Sequence, residues 1–499
     1  MIAAGCKSKK EGPDAVADAV VSISQKSFGD IDNLLDVPKR KVSDAQAQTA
    51  LKAMGIWEQS DWLTWDARSD NKGNYSYKNL VIKNENGEDI TAGKLEITGL
   101  HMVDDVPVAD VLTFTDLKLE DDDFAMSIDS FAVKSVFMPE QLTSIEDVAN
   151  FDLEPNQIPK AVVIKGMSGG DDEVSIKIKS FGMGEDGNDN HLRFSAEDVD
   201  IASTGREAFA VNFKAMNFKS LEALEPGALE ALADVDNPEA FLDLTSSLQF
   251  GDAMLKDFDV TSEFIDLSLP ELKQSASKKG DVINVSMNMP SMKLDIKEDA
   301  ATDAQSLQAM QILKSLDFTT MEFSSASHIE VNKVKDLMDI KAASLNLKDA
   351  FDMNFTGKFE GSEAMNKATL TATTAEEIEA AQENFEIHNF AMSLKDKSIV
   401  DRSFKLAGEM TGQSPESLRR QLTGMMAIGS LAAASQGYGE IYGDFTNAFG
   451  DFVKDGGTLN LAMNPETPIS LGVMQDIERG EIPDVKTFGF SASNTPPSE

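Results

Sequence analysis

Apolar residues recur in this chain as a short phrase: two at alternate positions, a gap of two residues, then two more at alternate positions. Tyr75, Tyr77, Leu80 and Ile82 form the first; Leu95, Ile97, Leu100, Met102 and Leu112, Phe114, Leu117, Leu119 repeat it. Longer versions are Phe124, Met126, Ile128, Phe131, Val133; Val174, Ile176, Ile178, Phe181, Met183; Leu192, Phe194, Ala196, Val199, Ile201; and Phe209, Val211, Phe213, Met216, Phe218. The second half has Met287, Met289, Met292, Leu294, Ile296 and Phe385, Ile387, Phe390, Met392, Leu394. Alternation places every second side chain on one face of a strand. A single three-residue step would move the apolar set to the other face of a regular strand. A classic bulge, two residues opposing one neighbour, keeps both halves on the same face. The gaps (Lys-Asn, Thr-Gly, Thr-Asp, Asp-Ser, Lys-Ser, Lys-Ala) are mostly poor tight-hairpin turns. Long strands, each bulged near its middle, are therefore expected.

Turn material separates the phrases: Asp70-Asn71-Lys72-Gly73, Asn86-Gly87, Asp121-Asp122-Asp123, Gly169-Gly170-Asp171-Asp172 and Asp186-Gly187-Asn188-Asp189-Asn190. The expected fold class is α+β, dominated by β: a large curled antiparallel sheet, a meander of long bulged strands buttressed by helices. Two strand-rich blocks, each interrupted by helix, suggest an internal duplication.

Helices are expected over Asp14–Lys26, from an N-cap at Ser43 to Gly55, over Pro139–Phe151, Leu221–Leu244, Ala304–Leu316, Glu363–Asn384 and Ser398–Met410. Ser414-Pro415 opens a long helical region that runs toward Lys454, with a break near Gly437-Tyr438-Gly439. Thr458–Met463 is a closing strand, and Thr495–Glu499 a loose tail. The resulting divisions are 1–13 tether, 14–60 N-terminal helical segment, 61–220 first strand-rich block, 221–245 helical connector, 246–395 second strand-rich block, and 396–499 C-terminal helical region. Trp57, Trp62 and Trp65 lie where the Ser43 helix meets the first strands and read as a packing anchor, with carbohydrate stacking as the alternative.

Composition narrows function. At 499 residues and 41% hydrophobic, the chain can bury a real core. A formal charge of −40 opposes phosphate neutralisation, so nucleic acid is not an expected partner. There are 28 Phe and 23 Met against 4 Tyr and 3 Trp. Phe and Met fill apolar space without a hydrogen-bonding obligation, and Met adapts to irregular shapes. This fits a plain core, or an adaptable surface for acyl chains. The apolar-face candidates are Phe131, Phe181, Met183, Phe194, Phe213, Phe218, Met287, Met289, Met292, Phe390 and Met392.

No constellation of catalytic type stands out. His101, His191, His328 and His388 are far apart and match no metal-ligand spacing. No GxSxG, GxxxxGK[ST] or GxGxxG motif is placed to act. No cofactor is expected. The turn residues Asp186, Asn188 and Asp189 offer hard oxygen ligands of the kind calcium uses, but not its DxDxDG loop, and a solvated turn is the default.

The single cysteine, Cys6, follows Ala3-Ala4-Gly5 and precedes a polar stretch, Lys7 to Pro13. This resembles the lipobox and tether of bacterial lipoproteins, which implies lipid attachment at Cys6 and a membrane partner through an acyl anchor. The signal segment of such proteins is expected ahead of Met1. Between Tyr75 and Leu394, strands of the form Val174–Met183 and Met287–Ile296 resemble the β-rich periplasmic proteins of the AsmA and YdgA families. The resemblance implies an envelope role, in lipid handling or outer-membrane homeostasis, and transfers no site residues. It departs from AsmA-like proteins in lacking an N-terminal membrane helix, which the Cys6 anchor would replace. The expected function is a non-enzymatic, lipid-anchored envelope protein, on the periplasmic face of the outer membrane, that binds or scaffolds and holds lipid or another apolar ligand. The alternatives are a structural or adhesion-type protein with a filled core, and a hydrolase with a carboxylate site.

Overall fold

The computed structural model describes residues 23–497 other than 38–39, 72, 84–88, 104, 121–123, 138–158, 187–190, 206–207, 224–249, 298–303, 372–373, 436–438 and 474–484. Cys6, Asn188, Asp189, the 139–151 helix and most of the 221–244 helix lie outside the described residues. Strands dominate, every pairing is antiparallel, and the chain divides into two compact units at Glu263/Phe264.

The first unit, Ile23–Glu263, opens with two 3-10 turns, Gln25–Phe28 and Ile31–Leu35; most of the helix expected over Asp14–Lys26 lies outside the described residues. Helix α1 (Asp44–Ala53) starts as its sequence dictates: Ser43 and Gln46 form a capping box. The strands are β1 (Leu63–Thr64), β2 (Ala67–Asn71), β3 (Asn74–Lys83), β4 (Asp89–Thr98), β5 (His101–Val103), β6 (Val106–Glu120), β7 (Ala125–Phe137), β8 (Ala161–Gly170), β9 (Val174–Asp186), β10 (His191–Ser203), β11 (Phe209–Ala223) and β12 (Gly251–Ser262). β1 and β2 both pair with β3, and β5 continues the line of β4 along β6. From β3 to β12 the strands pair in chain order, an open meander. Leu221 to Ala223, expected to begin a helix, instead extend β11, with the Leu221 N–H donating to Phe250 O.

The expected two-against-one bulge is corrected in this unit. Along β3 to β12 the register does not change across the three-residue step. At the step the strands instead leave residues out of the backbone pairing opposite one another: Asn79, Gly93, Asp116, Asp129, Gly166, Lys179, Asp198, Lys214 and Asp257, with Phe213 and Phe258 also unpaired between β11 and β12. They form a transverse crease through nine strands. Every second one is left-handed: Asn79 (φ 48°), Asp116 (54°), Gly166 (61°), Asp198 (47°) and Asp257 (49°). Asn, Asp and Gly are the residues that tolerate this conformation. Because both partners of every pair carry the step, neither gains a residue on the other, and the register survives.

The core of this unit lies where α1 covers the first strands. Ala47, Ala50, Leu51 and Met54 pack on Tyr75, Tyr77, Leu80, Leu95, Ile97 and Leu112, with Ile82 partly buried against them. Tyr75 and Tyr77 precede the crease and Leu80 and Ile82 follow it, so both halves of the phrase do face one side. Each such Leu or Ile contributes about 1.5–3 kcal/mol on burial. The tryptophans anchor this corner: Trp65 meets Tyr77 edge-on at 4.9 Å, and Trp57 packs under the Arg68 guanidinium at 4.1 Å.

The second unit, from Phe264, contains β13 (Ile265–Lys279), β14 (Val282–Ile296), α2 (Ala304–Ser315), β15 (Thr320–Asn332), β16 (Leu337–Leu347), β17 (Phe351–Glu360), α3 (Ser362–Thr371), α4 (Ala375–Asn384), β18 (Glu386–Asp396), α5 (Ile399–Thr411), α6 (Pro415–Ser435), α7 (Gly439–Asp455), β19 (Thr458–Met463), β20 (Ile469–Ser470) and β21 (Phe490–Thr495). β13 to β19 pair in chain order; β20 joins β18, and β21 pairs with β19. Thr458–Met463 is thus not the last strand, and Thr495 is held opposite Thr458.

Here two-against-one bulges do occur. β14 gains a residue on β15 between Met289 and Met292, at Pro290-Ser291. β16 gains one on both neighbours near Lys341-Ala342, and β18 gains His388 on β17. Proline suits the first, since a bulge leaves a residue out of the ladder and proline has no N–H to donate.

Candidate functional site

The crease and the register together sort side chains into transverse rows. In the first unit Tyr77, Leu95, Phe114, Phe131, Ile164, Phe181, Ala196, Met216 and Leu255 are successive partners across nine strands. Beside them run Tyr75, Ile97, Leu112, Val133, Val162, Met183, Phe194, Phe218 and Ala253. Beyond the crease the partners Leu80, Ala92, Leu117, Ile128, Met167, Ile178, Val199 and Phe213 make a third row. Phe213 reaches Phe258 of β12, ring centres 6.4 Å apart. Phe114 meets Phe131 at 6.4 Å, and Phe181 meets Phe194 edge-on at 5.5 Å.

The two faces of this sheet are treated differently. The residues between the row members face the other way, and on the middle strands the 3-10 turns cover part of that face, while Lys78, Lys177, Asp200 and Asn212 stay exposed. Leu34 packs on Ala161 and Val163, and Ile23 and Phe28 on Ala215 and Met254. Gly182, between Phe181 and Met183, leaves the room that Ile31 and Leu34 occupy. Arg193, 1% exposed, fastens this strap: its guanidinium donates to Asp30 O and Gly29 O, both at 2.8 Å. Burial lowers its pKa against the opposing pull of Asp186 and Asp30.

On the row face, α1 closes the first strands, but none of Phe131, Phe181, Met183, Phe194, Phe213 and Phe218 belongs to a core cluster of described residues. All stay partly exposed, and Met183 is 38% exposed. These six share one face, as their spacing predicted.

In the second unit the candidates are only partly brought together. Phe390 faces Met463 and lies 5.4 Å from the Phe355 ring; Met392 is flanked by Phe355 and Leu461. Met292 continues through Phe323, Leu347 and Phe351. Met287 and Met289 instead face Ser327 and Ser325 of β15, which interrupt their rows. Helices α5 and α7 pack Val400, Ala448 and Phe452 on Leu459, with Leu394, Leu461 and Ala492 against the same cluster. At β18, β19 and β21 the sheet of this unit is covered. All five candidates remain partly exposed.

The polar candidates are held in ordinary hydrogen bonds. Asp186 accepts from Lys219 Nζ at 2.9 Å and lies 4.0 Å from the Arg193 guanidinium, which uses it as a counter-ion. Asp171 caps the turn before β9, accepting from the Glu173 and Val174 N–H groups, which hold its pKa down. His191 lies 2.9 Å from Ser220 O, and His328 the same distance from the Ser286 hydroxyl. His101 sits between Gly99 O and the Arg40 guanidinium beside Asp110, whose carboxyl burial pushes up against Arg40 and His101. His388 Nε2 stands 3.1 Å from Glu360 Oε2, with Glu386 alongside; no sequence spacing announced this group, because register across β17 and β18 assembles it.

Among the described residues, no helix is long and apolar enough to cross a membrane. Residues 344–494 match the model of a family described as "Uncharacterized protein". No curated protein matches the chain.

Proposed function

We propose that this protein is a non-enzymatic binding module whose apolar sheet face takes acyl chains or a comparable apolar ligand. One observation carries the reading. The crease keeps phenylalanine, methionine and aliphatic residues on one face through nine strands, and Phe131, Phe181, Met183, Phe194, Phe213 and Phe218 stay partly exposed outside the core clusters of described residues, beside buried Val133, Ala196 and Val199 of the same rows. Contiguous apolar surface that stays partly wet marks a ligand or partner site more often than a stable exterior. The abundance of Met fits a surface that repacks around flexible chains.

A second reading, a structural protein with a filled core, is favoured by α5 and α7 on the face at β18 to β21. Uptake separates the two. Delipidated protein is mixed with vesicles carrying a fluorescent phospholipid, then reisolated. Transfer that Phe181→Asn/Met183→Asn diminishes supports the binding face; no transfer by wild type supports the filled core.

Location follows the same proposal. The Ala-Ala-Gly-Cys box supports an acyl anchor at Cys6 and a place in a bacterial cell envelope. Metabolic labelling of the full-length gene with a fatty-acid analogue should mark wild type and spare Cys6→Ala; equal labelling of both removes the anchor.

A further inference from the structure

The bulge in β18 brings His388 and Glu386 of one strand together with Glu360 of its neighbour β17. Glu360 ends β17 and Glu386 begins β18, and the two are direct partners in the antiparallel ladder. The next residue, Ile387, pairs with Phe359, and Asn389 with Lys358, so His388 is the extra residue of the bulge. Bulges re-aim side chains. This one places His388 Nε2 3.1 Å from Glu360 Oε2, and one ligand atom from each of the three residues lies within 4.8 Å of the others. We propose that Glu360, Glu386 and His388 bind one divalent transition-metal ion of the zinc class.

Two arguments favour a cation over a bare polar cluster. Carboxylates directly opposite each other on adjacent strands repel. A divalent ion bridging them removes that repulsion and uses the imidazole in its neutral form. The donor set also chooses among ions. One imidazole nitrogen with two carboxylates suits zinc and its first-row neighbours, whereas calcium takes six to eight oxygens and magnesium prefers oxygen and water. Ligand atoms around a tetrahedral zinc stand roughly 3.3 Å apart, from bond lengths near 2.0–2.2 Å. The three atoms lie within 4.8 Å of one another, so binding an ion would draw them closer, with the exposed Glu360 side chain free of close packing. Three protein ligands leave at least one position for water or an outside ligand, so the site is of the open type.

The test titrates zinc into chelator-stripped full-length protein by calorimetry, with millimolar magnesium present to occupy the general acidic surface. Wild type should show one stoichiometric site. His388→Ala should lack it, and Glu360→Gln and Glu386→Gln should each weaken it by at least about tenfold. Thermal melts in metal-free buffer accompany each variant. Glu386→Gln should melt no lower than wild type there, since it removes a like charge, so its loss of zinc cannot be unfolding. Absence of a stoichiometric site in wild type, or equal binding by His388→Ala, overturns the proposal.

Discussion

Gly166 of β8 and Asp129 of β7 stand opposite each other at the crease, and a Cβ on Gly166 would run into the Asp129 carboxylate. Gly166 is left-handed as well, at φ 61°. Two separate demands therefore fix glycine here: the backbone conformation and the space the aspartate takes.

Gly166→Ala should destabilise the first unit by more than the ~1–2 kcal/mol of a left-handed alanine. Asp129→Gly in the same chain should return part of the loss, because it removes the contact and leaves the backbone term. Chemical denaturation of the two single variants and the double variant measures this. Strict additivity would show that the two residues do not meet. Asp116→Gly, at a left-handed position without glycine, should by contrast be tolerated.

Arg193 holds the strap through two backbone carbonyls, and only a forked guanidinium reaches both. Arg193→Ala should cost about 3 kcal/mol and open residues 23–35 to proteolysis. Arg193→Lys should recover little of either. Protease cleavage mapped by mass spectrometry gives the answer; an unchanged cleavage pattern in the alanine variant would mean that Ile31, Leu34 and Phe28 hold the strap without it.

The Asp110 carboxyl is pushed above its ordinary value by burial, with Arg40 and His101 opposing. A carboxyl whose folded-state pKa is raised binds its proton more tightly when folded. Its contribution is full below the unfolded pKa and is lost as pH rises through the folded one. Asp110→Asn does not titrate. Relative to wild type, its melting temperature should therefore climb from about pH 4, near the ordinary aspartate range, toward neutrality. A difference that shrinks over this interval contradicts the assignment.

Much of the fold was legible from spacing. The three-residue step marked strands whose halves share a face, and Ser43, Ser414 and Pro415 marked helix starts that the structure keeps. The nature of the step was less accessible. Whether a step is a bulge or a crease depends on the partner strand, which one segment does not reveal. A local signal did exist: the second gap residue is Asn79, Asp116 or Asp198 where the gap is left-handed, whereas Ser130, Ser180 and Ala215 fill that place where the gap has no positive φ. The apolar face was readable where every strand kept the phrase. Ser325 and Ser327, which interrupt it beside Met287 and Met289, matter only once register is known. The Glu360, Glu386, His388 group was invisible for the same reason.

Native mass spectrometry of the full-length protein, purified without detergent exchange from its source membranes or extract, tests the open apolar face most directly. Bound acyl lipid should appear as discrete mass increments, and Phe181→Asn/Met183→Asn should lose them while melting close to wild type. A clean unliganded mass from the wild type, together with no uptake from vesicles, would contradict an open apolar face.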